Sequence, residues 1–189
     1  MRIPHEEFLA LDLEVHALLR DIPLHDVSVI DLPECGDERT IADVRRLMDR
    51  ARQRPAFAVR ALVGLRRALG RMFGWDGGTP GPAYANRLSD DQRRRSLAPD
   101  GAMSGPLRLL YEFPDEMLGE ARNATVHAFS CMALRRRAGG YRLYWAIYVE
   151  NISAFTPLYM AAIEPFRRFV VYPAILGSIR REWSSLPAD

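Results

Sequence analysis

Apolar residues recur along the chain with two different periods, and each change of period marks a change of element. Phe8, Leu11, Val15 and Leu18 fit a helical face, whereas Leu9, Leu11, Leu13 and Val15 alternate as in a strand. The preferred reading of residues 5 to 20 is a short strand followed by a helical turn. Asp26 to Leu32 alternates as a strand and is stopped by Pro33 and Gly36. Thr40 and Asp43 resemble a capping box, and Ile41, Val44, Met48 and Ala51 follow at helical spacing. Pro55 ends that helix and opens a second, in which Ala58, Leu62, Leu65, Leu69 and Met72 repeat at four-three spacing while Arg60, Arg67 and Arg71 point elsewhere. The run Gly74-Trp75-Asp76-Gly77-Gly78 closes it. Residues 76 to 106 form a Pro/Gly-rich connection with one short helix at Ser89 to Leu97. A connection of that length inside a compact domain is a functional lid or a mobile segment.

A meander follows: strands at Leu107 to Phe113, Met117 to Ala121, Asn123 to Leu134 and Tyr141 to Glu150, with Pro114-Asp115 and Arg137-Ala138-Gly139-Gly140 as turns. A two-residue turn in the last hairpin places odd positions of the third strand on one face with even positions of the fourth. One face is then Val126, Ala128, Met132, Leu134, Leu143, Trp145, Ile147 and Val149. The other mixes rings and polar groups: Thr125, His127, Phe129, Cys131, Arg142, Tyr144, Tyr148 and Glu150. Beyond it, Thr156-Pro157 opens one long helix reaching Trp183. Met160, Ile163, Phe166, Phe169, Val170, Leu176, Ile179 and Trp183 read as its core face, with Arg167, Arg168, Arg180 and Arg181 opposite. Pro165 and Pro173 predict kinks. Glu164, Arg167 and Arg168 near its middle oppose membrane insertion. A core-facing helix is preferred over an interfacial amphipathic one.

With 189 residues the chain suits a single domain. Every Lys/Arg position is arginine, so Schiff-base lysines, Walker-type phosphate loops and Ser-Lys dyads are excluded. A net charge of +2 gives little attraction for a polyanion, and the clusters Arg93-Arg94-Arg95 and Arg135-Arg136-Arg137 read as solvated ends; nucleic acid is not an expected partner. Cys35 and Cys131 lack CxxC spacing, and residues 1 to 7 offer no apolar leader, which together indicate reduced thiols in the cytoplasm. The glycines form no GxGxxG, and nothing in the sequence indicates a cofactor.

The runs LYEFPDEMLGEARNATVHAFSCMAL and GGYRLYWAIYVENISAFTPLYMAAIEPFRRFVVYPAIL resemble a bacterial family of unknown function placed with the polyketide-cyclase, START and Bet v 1-like helix-grip proteins. The similarity covers roughly residues 105 to 183 and weakens upstream to LGRMFGW and the proline-containing loop. It implies an α+β helix-grip fold, a curved antiparallel sheet wrapped around a long C-terminal helix with two shorter helices closing one end. It further implies a cavity between sheet and helix that takes hydrophobic or aromatic small molecules. A minority of the wider superfamily catalyse cyclisation, dehydration or hydrolysis there, and fusion of family members to epimerase-like oxidoreductases implies a redox neighbour. The resemblance transfers no catalytic residue.

Within that frame His127 is a candidate acid or base near neutrality, with Tyr144, Tyr148 or Glu150 on its face; the plainer reading is a hydrogen-bonded core or surface histidine on the solvent side of a half-exposed sheet. Arg142 is a candidate partner for a ligand carboxylate. His127, Phe129, Arg142, Tyr144 and Tyr148 are the expected ligand contacts beneath the C-terminal helix; Trp145 is added although parity puts it on the other face. His5, His16 and His25 lack metal-ligand spacing, no GxSxG is present, and Glu112, Glu116 and Glu120 read as solvent-facing. Trp75 reads as a packing anchor. The expected function is binding of a hydrophobic or aromatic small molecule. The alternatives are an interaction module, as a homodimer or on an oxidoreductase, and a cyclase- or dehydratase-like enzyme using His127.

Overall fold

A computed structural model describes residues 1–35, 38–53, 84–122, 126–152 and 156–185. The predicted second helix, Trp75 and the start of the 76–106 connection lie outside the described residues, as does Thr125. The architecture is mixed α+β: a six-stranded antiparallel sheet with a long C-terminal helix. The strands are β1 (Leu24–Pro33), β2 (Met103–Ser104), β3 (Leu107–Glu112), β4 (Glu116–Arg122), β5 (His127–Arg137) and β6 (Gly140–Glu150), in the order β1-β6-β5-β4-β3-β2. The meander is as predicted to within one residue at each strand end, except that β5 starts at His127 and runs past the expected end at Leu134 to Arg137. Arg137 pairs with Gly140, so Ala138 and Gly139 make a two-residue turn; Phe129 faces Tyr148 and Met132 faces Trp145, as the parity requires.

Residues 5 to 20 contain no strand. They fold as α1 (His5–Leu9) and α2 (Glu14–Leu18). A five-residue helix cannot sustain itself. The Glu116 carboxylate supplies what α2 lacks, accepting from the backbone N–H groups of Glu14 and Val15 at 2.9 Å each. Phe8, Val15 and Leu18 are then buried, while Leu9 is exposed. The predicted helix after Thr40 is α3 (Ile41–Gln53), its start closed by the Thr40 N–H on Asp43 at 2.9 Å. A short helix, α4 (Asp90–Arg95), is capped by a reciprocal Ser89–Gln92 pair.

The C-terminal helix has three parts: α5 (Thr156–Phe166), a π-helical turn (Arg167–Val171) and α6 (Tyr172–Trp183). In an α-helix the Pro173 ring would meet the Phe169 carbonyl one turn back, and the wider π turn relieves that contact. The predicted core face is only half right. Met160, Leu176, Ile179 and Trp183 are buried, but Phe166 and Phe169 are 44% and 70% exposed. Arg167, expected outside, turns inward.

Both sides of the sheet are covered. Phe129, Cys131, Tyr144 and Tyr148 pack beneath α1, α2 and the Tyr84–Leu88 segment. Met132, Leu134, Leu143 and Trp145 pack beneath α3 and α6. Val126 and Val149 meet Met160 of α5. Among the described residues, no helix is long and apolar enough to cross a membrane.

Candidate functional site

The structure divides the six residues singled out in the sequence among three places. Trp145 alone lies beneath the C-terminal helix, its ring 4.9 Å from that of Tyr172 and its indole N–H donating to Ser130 Oγ at 2.8 Å. His127, Phe129 and Tyr148 occupy one end of the opposite face, and Tyr144 and Arg142 the other end. His127 pairs with Glu150 and Arg142 with Arg135, eight residues along β5, a separation of about 27 Å at strand rise. Arg142 holds Asp31 in a two-point pair at 2.6 and 3.1 Å and reaches Glu7 at 3.2 Å, so its fork is filled from within the chain.

His127 is buried between two carboxylates. Nδ1 lies 2.7 Å from Glu150 Oε2 and Nε2 lies 3.0 Å from Glu120 Oε2. Tyr84 packs edge-on against the imidazole and donates its hydroxyl to Glu150 at 3.2 Å; burial and that carboxylate push the phenol up to about 12. Glu120 also accepts from Arg108. Burial pushes its carboxyl up, but the hydrogen bonds from His127 and Arg108 outweigh that and hold it below its ordinary value. The three glutamates expected in solvent are thus buried: Glu112 at 2%, Glu116 at 2% and Glu120 at 8% exposure. Each is neutralised or hydrogen-bonded, as burial of a carboxylate demands. Glu112 meets Arg45 at 2.8 Å, and Glu116 accepts from Tyr111 in addition to the α2 backbone.

Beneath the π turn the sequence reading missed a second polar group. Asp26 on β1 is 1% exposed. It accepts from Arg167 at 2.6 Å and from the Tyr172 hydroxyl at 3.1 Å. Burial pushes the Tyr172 phenol up. Arg2, His25 and Glu164 complete the cluster, with Arg2–Asp26 at 3.6 Å and His25–Glu164 at 3.4 Å. Ligand atoms of His25, Asp26 and Glu164 converge within 4.8 Å. Two arginines already occupy those carboxylates, so the arrangement is that of an ion-pair network and not of a cation site. The available signal was the proline pair at 165 and 173, which marks a turn where α-helical phase cannot be assumed.

The same side of the sheet is unevenly filled. Toward the hairpin, Met132 and Trp145 are tightly covered by α6. Toward α5, Ala128 and Ile147 remain partly exposed although they sit in β5 and β6, two strands paired on both sides, and Tyr159 and Ile163 above them are also only partly buried. On the opposite face of the same strands Phe129 and Tyr148 are 0% and 3% exposed. Asp26 pairs with Ile147, and Ser130 lies across from Ile147 on the other side, so a polar group flanks this apolar strip at each edge.

Two surface clefts flank α2. One, of about 570 Å³, is lined by Leu18, Arg20, Asp21, Arg87 and Gln92; the other, of about 440 Å³, by Glu14, Arg95, Phe113, Asp115, Glu116 and Arg135. Their charges are paired as Arg87–Asp21, Arg95–Glu14 and Arg135–Asp115. Most of the charge on these walls is thus spent within the chain, and neither cleft gathers a set of catalytic side chains.

No curated protein and no solved structure matches the chain. A family model described as "Protein of unknown function (DUF2867)" matches residues 18–174, which takes in every strand, α3, α5 and the π turn with its inward arginine. The chain therefore belongs to the DUF2867 family.

Proposed function

We propose that the protein is a helix-grip binding protein that takes an apolar or aromatic small molecule between β5–β6 and the α5 half of the C-terminal helix. The observation that carries this reading is the asymmetry of burial across β5 and β6. On the face turned from the helix Phe129 and Tyr148 are sealed, while Ala128, Ile147, Tyr159 and Ile163, beneath or on the helix beside the buried Val126, Val149 and Met160, are not. A strip of apolar surface with a few fixed polar groups at its edges is the usual lining of a small-molecule site. Asp26, Arg167 and Tyr172 at one edge, and Ser130 at the other, would orient a ligand head group. The free thiols of Cys35 and Cys131 support a reducing, cytoplasmic setting.

Saturable binding of a neutral fluorescent probe, N-phenyl-1-naphthylamine, tests the reading. Wild type and Tyr148→Phe, altered on the sealed face, should bind alike, whereas Ala128→Trp should fill the strip and weaken binding by about tenfold, read as a tenfold higher half-saturation concentration. Native mass spectrometry of the purified protein would show any retained ligand directly. Probe binding unchanged in Ala128→Trp would overturn the site.

A further inference from the structure

The C-terminal helix has a second apolar surface, turned to solvent. Leu158, Phe166 and Phe169 are 68%, 44% and 70% exposed. Every exposed side chain between residues 157 and 173 is apolar except Arg168. Its guanidinium lies 5.2 Å above the Phe169 ring. The one acid of this stretch, Glu164, is turned away and paired with Arg2 and His25. A contiguous apolar ridge of this kind marks a surface that meets something.

We propose that the ridge docks on the interfacial zone of an anionic lipid bilayer. Leu158, Phe166 and Phe169 would enter the boundary between head groups and acyl chains, and Arg168 would meet lipid phosphate. Charge selects this occupant. A second copy laid on the ridge would bring another arginine and no exposed acid to pair with it. A negatively charged surface supplies the missing sign across the whole ridge. The helix lies on the surface and does not cross it, in keeping with the absence of a spanning helix among the described residues. The inference stands on exposure and charge and is independent of the small-molecule strip on the other side of the helix.

Co-sedimentation of the full chain with vesicles of phosphatidylcholine, alone or mixed with phosphatidylglycerol, tests it. Binding should be at least about fivefold tighter with the anionic lipid, and equal binding to both vesicles overturns the choice of surface. Phe166→Ser/Phe169→Ser should weaken it by at least about tenfold. Arg168→Gln should weaken it by about fivefold. Thermal melting of both variants should match wild type, because the substituted groups are exposed. No sedimentation with either vesicle overturns the proposal. So does a doubled mass in light scattering that Phe166→Ser/Phe169→Ser abolishes, since the ridge would then be covered by a second copy.

Discussion

Asp26 shows how one residue can set the orientation of a distant element. It sits on β1, 1% exposed, and a carboxylate so buried is tolerable only when its oxygens are fully used. Arg167 and Tyr172, from the other end of the chain, use them. Asp26→Ala leaves Arg167 facing a void and should destabilise the protein by about 3 kcal/mol, while Tyr172→Phe, which keeps the ion pair, should cost about 1 kcal/mol. Equilibrium urea denaturation measures both. Equal losses would mean that packing of the Tyr172 ring, and not the network, carries the effect. None of this was legible in the sequence, where Asp26 reads as one polar position of an alternating strand. The hairpin was legible, because backbone geometry dictates its residues directly. Gly139 has φ +78°, and a Cβ on Gly140, at φ +149°, would lie 2.1 Å from the Leu32 carbonyl oxygen.

The C-terminal helix explains why the sheet was read correctly and the helix only in part. Strand faces follow parity, and parity holds for any side chain. A helical face read from apolar spacing assumes that charge points outward. Here Glu164 and Arg167 are drawn inward by Arg2, His25 and Asp26, so apolar Phe166 and Phe169 are left outside. The π turn then advances the phase by one residue, so that Tyr172, Leu176, Ile179 and Trp183 face the core. Such a turn accommodates one residue more than an α-helix of the same span. Deleting Phe169, exposed and within the turn, together with Pro173→Ala, which removes the ring that α geometry would press on the carbonyl one turn back, should therefore let the helix close as α with both flanks in place, at a cost of a few degrees in melting temperature. Deleting Ser178 should rotate Ile179 and Trp183 by about 100° off the sheet and abolish cooperative unfolding. Circular dichroism melting curves separate the two, and similar loss from both deletions would show that the turn's own geometry is needed.

At the scale of the molecule, the order β1-β6-β5-β4-β3-β2 places the chain's first strand beside its last, so stability depends on pairs that join distant segments. Several are ionic. Hydrogen bonds from Arg95 and Gln92 hold Glu14 of α2 below its ordinary value of 4.5, and Arg142 of β6 holds Asp31 of β1 below 3.8. Glu120 of β4 is also held down, by His127 and Arg108 against its burial. A lowered acid stabilises the native state fully above its unfolded value and loses that contribution as pH falls through its folded one. All three therefore weaken the fold on the acid side. Glu116 runs the other way. Burial raises it despite the bonds from Tyr111, Glu14 and Val15, so its contribution is complete below 4.5 and is lost as pH rises through the folded value. The opposing signs make the combined contribution of these four groups greatest close to pH 4.5, with a loss on either side. Denaturation midpoints measured from about pH 3 to pH 8 should show Glu120→Gln with a shallower acid limb. Glu116→Gln keeps the side-chain shape while removing the charge, and should lose less stability than wild type as pH rises above 4.5. Parallel curves for Glu116→Gln and wild type over that range would mean that the α2 backbone and Tyr111 repay the buried charge in full.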